Sequence, residues 1–463
     1  MTSAEFHKLF LESSRRLREG STSTVMLAAG GELRLACSVL TLTMLLTSSS
    51  LQRAKTLSVR DDPPEQLDED VVVLAKNADG MYYWFMKPSR PEIGPIPDRY
   101  VRACVPDAEV ASLPVNQELA RLLGASLIRA GKVVPTISAA AFEIWLAEID
   151  PTQRISQAMV TDWLLLRLLF QYADIATAAV ILCRQNIGEG SRAHYTSLSK
   201  AEVRRRYVAV LAAIPCPDSE LLAPQKVIAQ GQKSKSMALG AKYLPCAISL
   251  RAVFRHLRAG VTRNPPGTER DLARRHNDLI SNSYLGLALA VAARPDVKLL
   301  DVVRFDRTLA WACVDDKSAP DGASARYVAL PADVTRQMRT ILEHCRRLRY
   351  LLRSNEAAAT DPIYLLDESL TPLPLAGSSV QAEIDRCFPF PLDSVRRFLR
   401  STFVRRRVSP DQIDLLLGHS LFGQEPHRQT STLDFLAVAH AARKTTGQLL
   451  HQLGYRPLES WLS

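Results

Sequence analysis

The sequence predicts a mainly α-helical protein with small β-sheets, an α+β fold. Apolar residues recur with the 3.6-residue period of a helix in four long segments, 32–57, 116–214, 272–291 and 332–353. Strand-like patterns are confined to two short passages, 71–85 and 309–330. Proline-rich stretches separate these segments. The pattern therefore indicates several helical blocks, each accompanied by one small sheet at most.

The first block begins with an apolar stretch, 35–51, which lies between Arg34 and Arg53 and contains several Ser and Thr. It is shorter and more polar than a membrane-spanning helix, so we interpret it as a buried helix. The strand-like runs 71–74 and 81–85 follow, separated by a turn sequence that ends in Gly80. The order predicts a helix followed by a β-hairpin.

Changes in composition mark the domain boundaries. Four prolines between 88 and 97 interrupt regular structure, and we place a boundary near 115. A turn-rich stretch, 215–235, reads as a linker and includes the Gly-Gln-Lys-Ser-Lys run at 231–235. The predicted segments are an N-terminal helix-plus-hairpin domain at 1–115, a helical domain at 116–214, a linker with connecting helices at 215–280 and a C-terminal domain at 281–463.

Composition restricts the class of protein. The 463 residues are 47% hydrophobic and 23% charged, which is sufficient for several buried cores. The net charge of +10 suits a partner that carries phosphates. The eight cysteines are scattered without a C-x-x-C pair, so we expect a reduced, cytoplasmic chain with no structural metal. The N-terminus lacks the pattern of a secretory signal, and we expect no membrane association.

The densest basic segment lies at 393–407 and is predicted to form a helix with an apolar face. A second helix is predicted directly after it, because Ser409, Pro410 and Gln412 have the residue types of a helix N-cap and capping box. That helix stops at Gly418, where His419 follows. We predict DNA contacts for the arginines of the basic segment other than Arg400, namely Arg396, Arg397, Arg405, Arg406 and Arg407.

These two predicted helices resemble a pair of segments in the tyrosine recombinases, the family of the phage integrases. The run 399–403 is similar to the family's Leu-Arg-His-Thr-Phe segment, and 416–420 to its Leu-Leu-Gly-His-Ser segment. Upstream, 285–296 resembles the helix end that carries the first family arginine, here Arg294, and Lys317 lies in the predicted hairpin. The segment 423–426 is similar to one in the large integrases of mobile elements. The resemblance covers about 281–460 and implies the family's catalytic fold, preceded by helical domains.

The resemblance also implies roles for these residues. Arg294 and Arg400 would hold the scissile phosphate between two guanidinium groups. Lys317 would protonate the leaving 5′ oxygen, and His419 would act as acid, base or hydrogen-bond donor. The family's acidic residue would be Asp296 or Asp301, between which the sequence does not choose. The implied partner is double-stranded DNA, and the scheme needs no metal and no cofactor.

One member of the family's catalytic set is missing. The nucleophilic tyrosine should follow Gly418 and His419, but no Tyr occurs between 420 and 454, and Val438 or a close neighbour stands at its place. Valine cannot form a link to phosphate. Tyr455 is the remaining candidate and is better explained as a packed terminal aromatic. His427 and His440 carry no sign of activation.

Three functional hypotheses follow. The first is a catalytically impaired relative that binds DNA in integration or recombination, as an accessory or regulatory subunit beside an active integrase. The second is an active recombinase that uses Tyr455, and the third is a helical scaffold that binds protein or RNA. Recombinases generally assemble on DNA, so a homo-oligomer is expected under the first two.

Overall fold

A computed structural model describes the chain at residues 1–22, 30–88, 97–184, 195–215, 219–222, 237–262, 267–294, 303–315, 325–352, 361–419 and 434–462. The described residues are mainly helical with small sheets, so the predicted α+β class is confirmed. They form two compact units, one of Met1–Ile93 with Pro106–Lys242 and one of Gly94–Val105 with Tyr243–Ser463. The predicted segments 1–115 and 116–214 both lie in the first unit, apart from 94–105.

The helices of the first unit are α1 (Ser3–Thr22), α2 (Gly31–Thr47), α3 (Leu51–Ala54), α4 (Gln117–Ala130), α5 (Ala139–Ile149), α6 (Gln157–Tyr172), α7 (Ile175–Leu182), α8 (Lys200–Ala212) and α9 (Ser219–Leu222). Helix α2 packs against α1, α4 and α6 and is buried continuously from Leu35 to Thr47. Its Ser and Thr side chains are satisfied within the helix, as when Thr43 donates to the Val39 carbonyl at 2.8 Å. The expectation of a buried helix here is confirmed.

The sheet of the first unit contains β1 (Ser58–Arg60), β2 (Val72–Lys76), β3 (Tyr82–Met86) and β4 (Ala111–Pro114) in that order. Strands β2 and β3 form the predicted antiparallel hairpin, with Leu74 opposite Trp84. Gly80 has φ of +79° in the turn, a conformation that glycine adopts without the steric cost of a side chain. A separate antiparallel pair joins β5 (Ser197–Ser199) to β6 (Ala238–Gly240).

The second unit contains the helices α10 (Ala247–Thr262), α11 (Glu269–Val291), α12 (Ala332–Leu352), α13 (Gly377–Cys387), α14 (Val395–Arg405), α15 (Pro410–Leu417) and α16 (Phe435–Gln452). Its strands are β7 (Val303–Phe305), β8 (Trp311–Val314), β9 (Arg326–Ala329), β10 (Tyr364–Leu366) and β11 (Pro372–Pro374). Strands β8 and β9 pair antiparallel, as the sequence predicts, and β7 completes a three-stranded sheet.

Helix α11 is the central helix of this unit. It is buried without interruption from His276 to Val291, and α10, α12, α13, α14 and α16 all pack against it. A helix that is buried on every side lies inside a core. Helix α11 ends at Val291, shortly before Arg294. Because the core of the unit holds this helix, it also fixes the position of the chain that leads to Arg294.

The C-terminal residues dock onto this core. Tyr455 packs edge-on against Phe254, at 5.4 Å between ring centroids, and lies over Gly286. A hydrogen-bonded chain follows, in which Ser460 Oγ lies 2.9 Å from His344 Nδ1 and His344 Nε2 lies 3.1 Å from His276 Nδ1. His276 Nε2 lies 2.8 Å from the Tyr364 carbonyl, which can only accept, so the His276 Nε2–H donates to it.

Several predicted features lie outside the described residues: the 231–235 run, Asp296, Asp301, Lys317, the 423–426 segment and His427. Within the described part of the chain, no helix is both long and apolar enough to cross a membrane. There, too, no group of three or more His, Cys, Asp or Glu side chains is arranged to hold a metal ion. The seven cysteines that the structure describes are free thiols.

Candidate functional site

Helices α14 and α15 are built as the sequence predicts. Ser409 caps α15, and its Oγ accepts from the Gln412 backbone N–H at 3.3 Å, with Pro410 at the first helical position. Gly418 ends the helix with φ of +63°, in the left-handed region. The His419 N–H then donates to the Asp414 carbonyl at 2.9 Å, which fixes the direction in which His419 leaves the helix.

The basic helix α14 differs from the expectation in one respect. Its apolar residues are buried, but so are two of its arginines: Arg396 is 1% exposed and Arg400 is 2% exposed. A buried guanidinium needs a hydrogen-bond acceptor or a counter-charge, because desolvation of an unpaired charge is costly. The partners of these two arginines therefore show what the helix holds in place.

Both buried arginines reach α15. Arg396 Nη2 donates to the Leu417 carbonyl at 2.6 Å and lies 3.4 Å from His419 Nε2. Arg400 Nη1 forms an ion pair with Asp414 Oδ1 at 3.2 Å. A cation at a helix C-terminus is favourable, since it meets carbonyls that have no partner inside the helix and the negative end of the helix dipole. The end of α15 is thus fixed from two sides.

A third buried arginine joins this site to another part of the chain. Arg326, the first residue of β9, is 3% exposed, and its Nε donates to the Leu416 carbonyl at 2.9 Å. Its Nη2 donates to the carbonyls of Val291 and Ala292 at 3.1 and 3.2 Å. One guanidinium therefore connects the C-terminal end of α11 with the C-terminal end of α15. We call Arg326, Arg396 and Arg400, with Asp414 and His419, the arginine cluster.

The arginine cluster contains three of the residues singled out from sequence, Arg396, Arg400 and His419. Arg294 follows two residues after Ala292, which ends α11 in a left-handed conformation with φ of +49°, and its side chain is half-buried. Arg400 and His419 are members of the cluster itself. Lys317 lies between β8 and β9, outside the described residues.

The arginines predicted to contact DNA divide into two groups. Arg405, Arg406 and Arg407 are exposed at the end of α14. Arg397 is largely covered, over the Tyr243 ring at 5.6 Å and 3.8 Å from Asp393. Arg396, which we expected on the exposed face, instead lies inside the cluster beside His419. The face of α14 that carries Arg396 packs against α15, and the guanidinium donates to the Leu417 carbonyl at the end of that helix.

The structure describes Val438, which the resemblance places at or next to the position of the family's nucleophile. Val438 lies in the first turns of α16 and packs, half-buried, on a small apolar group formed by Ala329, Leu415 and Ala439. Leu415 belongs to α15, the helix that carries Gly418. The position therefore lies on a helix in direct contact with the cluster, and it bears an aliphatic side chain.

Tyr455 has the environment of a core residue. It is 1% exposed, and within the described residues its hydroxyl has no hydrogen-bond partner. Burial raises the pKa of Tyr455 well above its usual value, so the phenolate is strongly disfavoured. A Cβ added at Gly286 would lie 2.4 Å from the Tyr455 ring, so the ring occupies the space that a side chain at position 286 would need. Tyr455 is not placed to attack a phosphate in this conformation.

Sequence reasoning missed two members of the cluster, Arg326 and Asp414. A signal existed for each. Arg326 shares a face of β9 with the buried Val328, because alternate residues of a strand point to the same side. Asp414 interrupts a run of buried apolar residues, Ile413 and 415–417, where a carboxylate usually has a cationic partner.

Comparison of the chain with protein families, with curated proteins and with solved structures finds no match. The interpretation of the cluster therefore depends on its geometry and on the motifs of the sequence.

Proposed function

We propose that this protein is a DNA-binding relative of the tyrosine recombinases that takes part in integration or site-specific recombination without cleaving a strand itself. In this proposal it acts as an accessory or regulatory subunit. The observation that carries it is the contact made by Arg326, which joins the chain just before Arg294 to the chain just before His419. Segments more than a hundred residues apart thus meet, and the resemblance assigns a phosphate-holding role to a residue next to each of them.

The proposed chemistry is phosphate binding by guanidinium groups. Arg400 and Arg294 would contact non-bridging oxygens of the DNA backbone, for which the planar guanidinium is better suited than an ammonium. The ion pair with Asp414 orients the guanidinium of Arg400. Arg326 and Arg396 would position this site through the helix ends that they hold.

The absence of cleavage is supported by two side chains. By the resemblance, Val438 or a close neighbour stands where the nucleophile would be required, and an aliphatic group cannot attack phosphorus. Tyr455, the candidate of the competing recombinase hypothesis, is held in the core against Phe254. Burial of this kind opposes the second hypothesis.

Duplex binding tests the proposal. The full chain should bind a fluorescein-labelled DNA duplex in an anisotropy titration, with an affinity that falls steeply as salt rises. The double variant R400Q/D414N removes the cation without leaving a lone carboxylate and should weaken binding by about tenfold. D414N alone is the matched control and should bind at least as well as the unmodified chain. Binding of RNA or protein with no affinity for duplex DNA would favour the scaffold hypothesis instead.

Cleavage is tested with a nicked suicide duplex, which traps a covalent protein–DNA adduct if a nucleophile is present. The unmodified chain should form no adduct. An adduct that disappears in Y455F would overturn the accessory role in favour of an active recombinase.

Replacing the aliphatic side chain sharpens the same test. We expect V438Y to form a measurable adduct on the nicked duplex, because the phosphate-holding residues are kept and a hydroxyl is now supplied. V438F is the control of equal bulk. If neither variant forms an adduct and both still bind the duplex, the position that corresponds to the nucleophile is a neighbouring residue of α16.

A further inference from the structure

A second group of arginines borders a cleft in the second unit. The cleft lies among the start of α10, the end of α14 and the end of α16, and it encloses about 290 Å³. That is roughly ten times the ~30 Å³ of one water molecule in the liquid, so a hydrated phosphate group fits. Its rim carries the exposed side chains of Arg251, Arg405 and Arg406. Its floor consists of buried side chains, namely Phe398, Thr402, Leu449 and Leu453.

Neutral acceptors orient two of the rim arginines. Arg251 Nε donates to the Gln452 carbonyl at 2.9 Å, and Arg406 Nη2 donates to Gln452 Oε1. Within the described residues, the other N–H groups of Arg251 and Arg406 form no hydrogen bond. Gln452 thus holds two guanidinium groups at one edge of the cleft without neutralising them.

The third rim arginine is also held by uncharged oxygens. Arg405 Nε donates to the Ser401 carbonyl at 3.1 Å, and its Nη2 lies 3.2 Å from Thr402 Oγ1. The described residues that line the cleft include no Asp or Glu. Desolvation lowers the pKa of Arg406, the direction expected for a guanidinium that has lost water without gaining a carboxylate.

A helix terminus adds to this positive field. Ala247, the first residue of α10, lines the cleft, and the first turn of this 16-residue helix has no acidic side chain. The N-terminal end of a helix carries partial positive charge and backbone N–H groups without partners inside the helix. The cleft is therefore positive from two independent sources and offers donors to an anion.

We propose that this cleft, which we call the arginine cleft (Ala247, Arg251, Arg405 and Arg406), binds a backbone phosphate of duplex DNA, separately from the arginine cluster. This inference rests on the proposed function. The two sites share α14, and the rise of 1.5 Å per residue places Arg400 and Arg406 about 9 Å apart along the helix. One DNA strand presents a phosphate about every 3.4 Å along its axis, so a continuous backbone supplies anions to both sites. A single phosphorylated side chain would not.

The salt dependence of duplex binding tests the arginine cleft. The logarithm of the affinity falls with the logarithm of salt concentration by about 0.9 for each phosphate neutralised. The triple variant R251Q/R405Q/R406Q should make this slope shallower by about 0.9, the value for one phosphate, and weaken binding at low salt. Glutamine keeps a hydrogen-bonding side chain at each exposed position.

A charge-matched control separates the cleft from bulk charge. R270Q/R336Q/R346Q removes three exposed arginines of the same unit, each paired with a carboxylate: Glu368, Asp333 and Glu343. The control should leave the salt slope unchanged. Equal loss of slope in the two triple variants, or no loss in the cleft variant, overturns the inference while the proposed function stands. If the unmodified chain binds no duplex, the proposed function fails as well.

A second variant covers the case in which the triple variant fails to fold. A247D places a carboxylate in the first turn of α10, where acidic residues stabilise a helix. It should leave the thermal midpoint unchanged and weaken duplex binding by about tenfold at low salt, because the new charge repels a phosphate in the cleft. Undiminished binding by a folded A247D would contradict the inference.

Discussion

Helix α14 carries two kinds of arginine, and they differ in what their donors meet. Arg396 and Arg400 are buried and bind a helix-end carbonyl and a carboxylate of α15. Arg405 and Arg406, one to three turns later, are exposed and lie against neutral oxygens. The residue type is the same, but the first pair binds groups of α15 and is buried, and the second pair lies at the protein surface.

The difference between the buried and the exposed arginines shows that the arginines of one helix can have different functions. The helix ends of α11 and α15 present carbonyls to the interior, and buried guanidinium groups satisfy them. Such arginines contribute stability and geometry. The exposed Arg406 contributes little to stability, because solvent screens its charge.

Loss of a buried guanidinium should have the largest effect. R326M would leave the carbonyls of Leu416, Val291 and Ala292 without their shared donor, at a cost of about 3 kcal/mol. For a unit of this size, the thermal midpoint in calorimetry should fall by about 6 to 12 °C. R406M, at the exposed end of α14, should shift the midpoint by no more than about 2 °C.

R326M and R406M together test whether buried and exposed arginines differ in their contribution to stability. Equal shifts in R326M and R406M would mean that water replaces the guanidinium at the helix ends, and Arg326 would then have no positioning role. The duplex-binding titration of R406M, set beside its midpoint, shows whether the exposed group affects binding without affecting stability.

The histidines of the second unit extend the contrast between interior and surface. Burial and the neighbouring His344 lower the pKa of His276 to about 3. Burial and the neighbouring Arg275 lower the pKa of His344 to about 4. Both are therefore neutral when folded, while an unfolded histidine titrates near pH 6.5. Between about pH 6.5 and 4 the unfolded chain binds more protons, so the free energy of unfolding falls as pH falls.

The expected result is a thermal midpoint that is constant above about pH 7 and declines steadily as the pH falls from about 6.5 towards 4. H344Q should reduce this acid sensitivity, because it removes one of the two neutral imidazoles and keeps a partner for Ser460. H440Q, at an exposed position beside Trp311, is the control and should retain it. A flat profile in the unmodified chain would contradict the assignment of neutral, buried imidazoles.

Features set by neighbours in the chain could be predicted from the sequence. Ser409, Pro410 and Gly418 bound α15 as expected, because capping depends on residues within one turn. The two hairpins, β2 with β3 and β8 with β9, also follow from local alternation and turn residues. The apolar pattern of α2 likewise predicted a helix that is buried from Leu35 to Thr47.

Features set by distant contacts could not be predicted. The hydrophobic pattern of α14 suggests one buried face, yet α15 covers a second face, and this buries Arg396 and Arg400. The role of Arg326 depends on the ends of two helices that lie 35 and 90 residues away in the chain. Sequence periodicity carries no information on such pairings, since it describes one element at a time.

The smallest effect is expected at the turn that links these features. G418A would force a side chain onto a backbone with φ of +63°, which costs about 1 to 2 kcal/mol. The new Cβ would also lie 3.1 Å from Arg326 Nη1, so the guanidinium would have to shift from its contacts. G267A is the control, because a Cβ there meets no atom within 4 Å of it and its backbone is not left-handed. We expect G418A to lower the thermal midpoint by about 2 to 8 °C and G267A to leave it unchanged. If both are neutral, the end of α15 is not held as tightly as its contacts with Arg326 indicate, and His419 would lose its fixed position in the arginine cluster.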